Sequence, residues 1–518
     1  MTRTHRFLGG VVLGYTHLVL VTVVGLWMTP FLLGRLGQHT LGLWLIAQQL
    51  LGYLLLMDIG VTALLPRETA FATGRAGGVS AAGGAGAAGD LPHVVARARQ
   101  AVWWQVPVVA LAALGAWIWM PAGLRVAAGP VAFLLASFVV LFPMRLFQAF
   151  LQGVQELPFL SRVQIGAWTL STVTTIALVF SGANLYALVI GWSLGQAVTA
   201  GAAWLRISSR YRASWPSWRE GARWVEVRRY LVQASWISVA QIAQVFLTGS
   251  DLLLLGAVLG ANPVVLYACT GKLATVLSNH PQLIMQAATP ALSEMRAAGR
   301  RDHLQDTSVA LMLAMLSISG LVACVILALN GSFVHWWVGP AQYGGALLTI
   351  LFAAQLILRH WNITLIYGLF CFGKERRISL TNLADGAVSL ASGFVLLHMV
   401  GPAGAVLGSL VAVACISLPA NMIALAHETG ATPAGLIARL WPWMWRFLLV
   451  ATACALLPFA WAPNGAVSMI LVGLAITILY AAVMVQGLSG GPLDEYARPR
   501  LLGVLPGGWR LKLSSARP

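Results

Sequence analysis

Long apolar runs, separated by short polar connections, follow one another along most of the chain. Because an α-helix rises about 1.5 Å per residue, a run of about 20 apolar residues crosses the roughly 30 Å hydrocarbon core of a bilayer. The pattern predicts an all-α integral membrane protein of about 14 transmembrane helices, in sets of six, six and two. The predicted spans lie near 8–34, 41–65, 101–121, 127–150, 160–181, 184–206, 230–259, 264–293, 307–330, 345–371, 378–400, 402–426, 444–462 and 466–487.

The composition excludes a water-soluble globule, since 59% of the residues are hydrophobic and only 9% are charged. A net charge of +17 could suit a nucleic-acid partner, but the basic residues fall in the short connections between apolar runs. That distribution is typical of membrane proteins, so no nucleic acid is expected. Arginine greatly outnumbers lysine, and alanine and glycine are abundant, which favours a bacterial source.

Orientation follows from the distribution of the 32 Lys and Arg residues. Arg35 and Arg125 fall in loops on one side, Lys272 and Arg359 fall inside spans, and the other 28 lie on the opposite side or its membrane edge. The positive-inside rule makes that side cytoplasmic, and an even number of spans returns both termini to it. We therefore expect a multi-pass protein of the bacterial cytoplasmic (inner) membrane.

The cysteines lie inside apolar runs at irregular spacings, which indicates small buried hydrophobes rather than a zinc site or a disulfide framework. The sequence also contains no metal triad, nucleophile elbow or phosphate loop, so neither a cofactor nor an enzymatic activity is expected. The cysteines are Cys269, Cys324, Cys371, Cys415 and Cys454.

An internal repeat predicts the domain organisation. The motifs LGQHTLGLW (36–44) and LGANPVVLY (259–267) share a Leu-Gly start and an aromatic residue at the same offset. Each bridges the first and second spans of its set, so we expect two parallel six-helix lobes around a central cavity. The predicted divisions are 1–206 for the N-lobe, 207–229 for a cytoplasmic basic linker, 230–426 for the C-lobe, 427–487 for two further spans and 488–518 for a cytoplasmic tail.

Charges inside a membrane cost about 2.5 kcal/mol or more each, so they are candidates for function. Asp251 and Lys272 lie at matching distances from the turn at Ala261, so they could form a structural ion pair or serve ion coupling and headgroup binding. Asp58, near the inner end of its span, fits helix capping and packing better than proton transfer.

Arg359 lies in the middle of the tenth predicted span, beside Asn362, with no acid within one helical turn. An unpaired cation there would suit a phosphate or an acidic sugar of a substrate. The alternative is a partner acid on another helix, and Asp385 in the eleventh span is the obvious candidate.

Amide side chains form a second set of candidates. Arg145, Gln148 and Gln152 recur at intervals of three and four, which places them on one helix face that could line a polar cavity. An ordinary cytoplasmic helix end with a snorkelling arginine explains them equally simply. Gln244 belongs to a glutamine stripe in the seventh span, which suits either hydroxyl-rich ligands or interhelical hydrogen bonds.

Two segments carry a resemblance to a known family. FLLGRLGQHTLGLWLIAQQLLGYLLLMDIGVTALLPRE (31–68) resembles the N-terminal signature of the bacterial polysaccharide transporter family, the O-antigen and exopolysaccharide flippases. GSDLLLLGAVLGANPVVLYACTGKL (249–273) resembles the seventh and eighth spans of the same family. The family belongs to the multidrug/oligosaccharidyl-lipid/polysaccharide exporter superfamily, and the likeness extends over roughly residues 8–487.

The resemblance implies a flippase that moves undecaprenyl-pyrophosphate-linked oligosaccharides across the membrane by alternating access, coupled to H⁺ or Na⁺. Membrane lipids and the polysaccharide polymerase and export machinery are the implied partners. The alternatives are a cation-coupled multidrug exporter or a lipid II flippase of the same fold, but the first span lacks the acid of the former and the arginines of the latter. For such a function the candidate substrate-binding residues are Arg359, Asn362, Lys272, Arg145, Gln148, Gln152 and Gln244, and the candidate ion-coupling residues are Asp251, Asp385 and Asp58.

A membrane glycosyltransferase, polymerase or ligase acting on the same glycans is a further alternative. Such enzymes generally need a large external loop that carries the reacting groups. Here the longest predicted external connection, 331–344, offers only His335, which argues against this class.

Overall fold

Helices make up all the regular structure that the computed structural model describes, which covers residues 3–58, 61–75, 90–120, 122–216, 221–278 and 301–488. Contacts divide the chain into two compact units, Met1–Val265 and Leu266–Pro518. The helices are α1 (Arg3–Leu54), α2 (Val61–Arg75), α3 (Leu91–Ile118), α4 (Ala128–Leu141), α5 (Arg145–Gly153), α6 (Leu157–Phe180), α7 (Leu185–Arg210), α8 (Trp224–Leu259), α9 (Ala261–Thr270), α10 (Arg301–Val338), α11 (Gly345–Cys371), α12 (Glu375–Val400), α13 (Ala403–Ala412), α14 (Leu418–Thr429), α15 (Pro433–Ala460) and α16 (Ala466–Leu488).

Within these described residues, 11 helical stretches are long and apolar enough to cross a membrane. The predicted all-α membrane class is therefore confirmed. The first two predicted spans form a single one of these 11 stretches, because α1 runs through both and continues into a 3₁₀ turn, Leu55–Asp58. The seventh predicted span is covered by α8, whereas 279–293 of the eighth and the tail 489–518 lie outside the described residues.

The two repeat motifs adopt the same backbone conformation. Gly37 has φ 79° and ψ 164°, and Gly260 has φ 85° and ψ −175°. This region of φ/ψ space is essentially restricted to glycine, because a Cβ atom would clash with the backbone. The repeat inferred from the Leu-Gly motifs is thus present in the backbone as two equivalent turns.

The two glycine turns also touch each other within the first unit. The side-chain amide of Gln38 donates to the carbonyl of Asn262 at 3.0 Å. A Cβ atom added at Gly42 would lie 2.1 Å from the carbonyl oxygen of Ala261, so no other residue fits there without displacing the second turn. Glycine at position 42 therefore permits a backbone approach that fixes the packing of α1 against the start of α9.

Three predicted spans are interrupted. The second breaks at the 3₁₀ turn before α2, and the fourth breaks at a 3₁₀ turn, Phe142–Met144, where Pro143 removes a backbone donor. The twelfth contains a π-helical turn, Val413–Ser417, between α13 and α14. Hydropathy averaged over a span detects none of these breaks, because most residues at them are apolar.

Two other expectations were wrong. The predicted connection 331–344 is helical as far as Val338, because its apolar and aromatic residues continue α10 by two turns. Cys415 is exposed on the π-helical turn, whereas the other four cysteines are buried as predicted. Exposure of a small apolar side chain is inexpensive where the surroundings are lipid.

Candidate functional site

A cavity of about 340 Å³ opens within the first unit, where apolar residues of α1 and α4 form much of its wall and polar residues come from three separate stretches of helix. Gln48 projects from α1, Arg145 begins α5, and Trp192 and Gln196 lie one helical turn apart on α7. The break at Pro143 ends α4 and lets α5 start at Arg145, which places the guanidinium on the cavity wall. A cation, two amides and an indole therefore face one space.

Asp58 forms an ion pair with Arg145 and is not among the residues that line the cavity. Its carboxylate is almost fully buried, with a side-chain exposure of 3%, and lies 3.3 Å from Nη1 of Arg145. The same carboxylate accepts hydrogen bonds from the backbone N–H of Thr62, at 3.3 Å, and from its hydroxyl. Asp58 thus caps the first turn of α2 and neutralises Arg145, which combines the capping predicted for it with a contact to the cavity.

Arg145 remains available to a ligand on its other side. Nη1, which faces Asp58, is buried, but the side chain as a whole is 34% exposed. A guanidinium fixed by one carboxylate still presents donors to a second anion, and phosphate oxygens match that geometry.

The other predicted residues of this unit lie elsewhere. Gln148 and Gln152 share α5 with Arg145, but Gln148 is part-buried and Gln152 exposed, and neither lines the cavity. The side chain of Gln244 lies outside the described part of α8. Sequence reasoning missed Gln48, Trp192 and Gln196, although glutamines inside apolar runs were the available signal.

The second unit contains a buried polar network built on an ion pair. Nη1 of Arg359, on α11, donates to Oδ2 of Asp385, on α12, at 2.9 Å. Nη2 of the same arginine donates to the Ser409 hydroxyl at 2.8 Å. Asp385 is completely buried and Arg359 is 16% exposed, so the cation has the partner acid that the sequence offered as the alternative to a substrate anion.

The network continues through the hydroxyl of Ser417, which donates to Oδ2 of Asp385. The Asn362 side chain donates to the Ser417 hydroxyl at 3.1 Å and accepts from the Asn421 amide at 2.8 Å. This predicted substrate-binding residue therefore forms hydrogen bonds to other side chains of the same chain. Oδ1 of Asp385 and Oδ1 of Asn421 are buried without a hydrogen bond from any described group. Buried oxygens without donors are suited to a proton or a metal cation, because either would compensate their desolvation.

The π-helical turn positions the two serines. In an uninterrupted α-helix at 3.6 residues per turn, residues eight apart point about 80° away from each other. The π turn accommodates one extra residue, which brings Ser409 and Ser417 to within about 20° of one face. Both hydroxyls can therefore reach the Arg359–Asp385 pair from a single interrupted helix.

Two further predicted residues, Asp251 and Lys272, belong to different units of the chain. Asp251 is part-buried on α8 in the first unit, and Lys272 is part-buried after the turn at Gly271 in the second. Their predicted pairing stays a prediction, as does the central cavity between two lobes.

A third charged cluster lies where α6 begins and α7 ends, and its members Glu156 and Tyr211 fall outside the candidate spans. The Glu156 carboxylate accepts from Arg206 at 3.0 Å and from the Tyr211 hydroxyl at 2.9 Å, and Arg210 lies 3.6 Å away. Burial would raise the pKa of Glu156, but the hydrogen bonds from Arg206 and Tyr211 and the two arginine charges outweigh it and lower that pKa. Burial, with the charge of Glu156, raises the pKa of Tyr211 to about 12.

Comparison with known proteins places this fold. Residues 116–335 match the model of a family described as polysaccharide biosynthesis protein. No curated protein sequence matches the chain at a significant level.

Two solved structures share the architecture. One is the inward-facing conformation of a multidrug resistance MATE family transporter of the MOP superfamily, with a TM-score of 0.60 and 11% identity over 80% of this chain and 96% of that one. The other is the lipid II flippase MurJ in an inward closed conformation, with a TM-score of 0.63 and 10% identity over 92% and 99% of the two chains. The predicted resemblance is thus confirmed: the chain shares the fold of these two proteins, and its residues 116–335 match the polysaccharide biosynthesis family.

Proposed function

We propose that this protein is a flippase that translocates undecaprenyl-pyrophosphate-linked oligosaccharide repeat units across the bacterial cytoplasmic membrane for surface polysaccharide biosynthesis. The observation that carries the proposal is the first-unit cavity, where Arg145 faces Gln48, Gln196 and Trp192 with Asp58 behind it. The match to the polysaccharide biosynthesis family and the transporter fold support it.

The lining suits the chemistry of that cargo. A diphosphate needs a cation with several donors, which the Arg145 guanidinium provides. Sugar hydroxyls need groups that both donate and accept, which the amides of Gln48 and Gln196 do, and the indole face of Trp192 packs on the apolar face of a pyranose. Such a cavity lowers the cost of drawing polar groups through hydrocarbon, while the lipid tail stays in the bilayer.

Energy coupling is assigned to the second unit. Asp385 and Asn421 each hold a buried oxygen without a described donor, so binding of H⁺ or Na⁺ there would relieve an electrostatic cost. Arg359 and Ser417 fix the Asp385 carboxylate in place, which makes Asp385 the leading coupling residue and Arg359 its positioning partner. Lys272 and Asp251 remain proposed contributors to headgroup binding and coupling.

The test is an assay of lipid-linked repeat units in cells that lack the protein. Repeat units should accumulate on the cytoplasmic leaflet, protected from a glycosidase or lectin added outside. Wild-type protein and the matched control Arg162→Gln, an exposed arginine on α6, should restore externalisation, and Arg145→Gln should not. Normal externalisation of repeat units in the deletion strain would contradict the proposal. A selective change in drug sensitivity would instead indicate a drug exporter, and a selective change in lipid II export would indicate a lipid II flippase.

A further inference from the structure

A second, apolar groove of about 620 Å³ runs along the first unit between α3, α4, α5 and α7. Val102, Val106, Val140 and Phe147 contribute aliphatic and aromatic walls, and Ala200 and Gly201 on α7 leave the floor open. A Cβ atom added at Gly201 would meet nothing within 4 Å, so the groove is a real opening in the surface. It is separate from the polar cavity that Arg145 lines.

The groove lies on a surface suited to lipid. Trp103 is 49% exposed and Val140 is 64% exposed, as expected for side chains that face hydrocarbon. The indoles of Trp204 and Trp215 pack on Phe147, with ring centroids 5.1 and 5.4 Å away. Tryptophans of this kind mark the level of the lipid headgroups.

Positive charge is concentrated at one end of the groove. Among the described residues that line it, Arg99 alone carries a charge, and it is more than nine-tenths buried while donating to the carbonyl of Pro216 at 3.1 Å. The exposed Arg212 begins the 3₁₀ turn that leads directly into Trp215. Basic residues beside a gap between membrane helices attract the phosphate of an anionic lipid.

The length of the groove selects the kind of lipid. From Arg99 to Val106, α3 rises about 10 Å, which is less than half of a hydrocarbon core of roughly 30 Å. This depth holds part of one acyl chain within a single leaflet, whose hydrocarbon layer is about 15 Å thick. A carrier lipid in transit would need a path to both leaflets, which this groove does not provide.

We propose that the groove is a binding site for an anionic membrane phospholipid, such as phosphatidylglycerol, which places an acyl chain between α3, α4 and α7 and its phosphate near Arg99 and Arg212. The lipid is a resident structural ligand rather than the transported molecule. It seals the opening that Ala200 and Gly201 leave on α7.

The test uses the full-length protein, depleted of lipid in detergent, and phosphatidylglycerol with a photoreactive diazirine on one acyl chain. Cross-linked peptides identified by mass spectrometry should cover 139–147 and 200–204. Gly201→Leu should fill the groove and lower the labelling about tenfold. Gly166→Leu, at an exposed helical glycine on α6 that also has nothing within 4 Å, should label like the wild type.

The headgroup part is tested by competition. Unlabelled phosphatidylglycerol should reduce the cross-linking more than unlabelled phosphatidylcholine does. In Arg212→Gln the difference between the two phospholipids should be smaller. Equal labelling in Gly201→Leu and wild type, equal competition by the two phospholipids, or stronger competition by a polyprenyl diphosphate would each overturn the proposal. A normal melting temperature for Gly201→Leu without added lipid excludes misfolding as the cause of weak labelling.

Discussion

Arg359 and Asp385 form an ion pair in which the carboxylate is fully buried and the guanidinium is held by a second bond to Ser409. Removing one partner of such a pair leaves an uncompensated buried charge, which costs about 3–5 kcal/mol. Arg359→Gln and Asp385→Asn should therefore each lower the melting temperature of the detergent-solubilised protein. The double variant should lose less than the sum of the two single losses.

Arg377→Gln is the control for this pair. Arg377 lies on α12 like Asp385, but it is exposed and donates to the backbone carbonyl of Ala420. Its loss should change the melting temperature little. Additive losses in the double variant would contradict a direct interaction between Arg359 and Asp385.

Two substitutions of Asp58 distinguish its role as a helix cap from the role of its negative charge. Asp58→Asn keeps an oxygen that accepts from the backbone of Thr62 but removes the charge next to Arg145. We expect near-normal stability with reduced transport. Asp58→Ala also loses the cap and should be less stable by about a further 1 kcal/mol, measured by thermal unfolding. Equal stability of the alanine and asparagine variants would show that the cap contributes little.

The two glycine turns predict a matched pair of stability losses. Gly37→Ala and Gly260→Ala place a Cβ atom in a backbone region that costs on the order of 1–3 kcal/mol. Both should lower the melting temperature. Gly34→Ala, at a helical glycine with open space around it, should be neutral or slightly stabilising. An unchanged melting temperature in either turn variant would mean that the turn can relax.

Glu156 predicts an acid-sensitive contribution to stability. Its pKa is lowered in the folded protein, so the stabilisation is complete above its ordinary value of 4.5 and disappears as the pH falls through the lower folded value. Glu156→Gln should be less stable than the wild type at pH 7, and the difference should shrink as the pH is lowered below 4.5. A difference that does not depend on pH would assign the effect to packing.

The sequence predicted those features that depend on composition or on a single motif. The apolar runs predicted a helical membrane protein, and the Leu-Gly motifs located both glycine turns. The partner of Arg359 was named only as one of two alternatives, because an intramembrane cation is equally compatible with a carboxylate and a ligand.

The remaining features depend on packing that hydropathy cannot register. The π turn at 413–417 shifts the register of a helix by one residue without changing its polarity, so Ser417 could not be assigned to the Asp385 network. The cavity lining of Gln48, Trp192 and Gln196 comes from helices far apart in the chain. The helical continuation to Val338 was missed because aromatic residues are equally common in interfacial loops and helix ends.

The twin turns at Gly37 and Gly260 have a consequence for which sequence changes the chain can accept. The nine-residue motifs that contain them share two leucines, this glycine and a final aromatic residue, and their glycine backbone angles match closely. Because other residues adopt these angles only with strain, both glycines are constrained by the backbone, whereas side chains beside them can vary. The two positions are therefore fixed by geometry rather than by any contact that their side chains make.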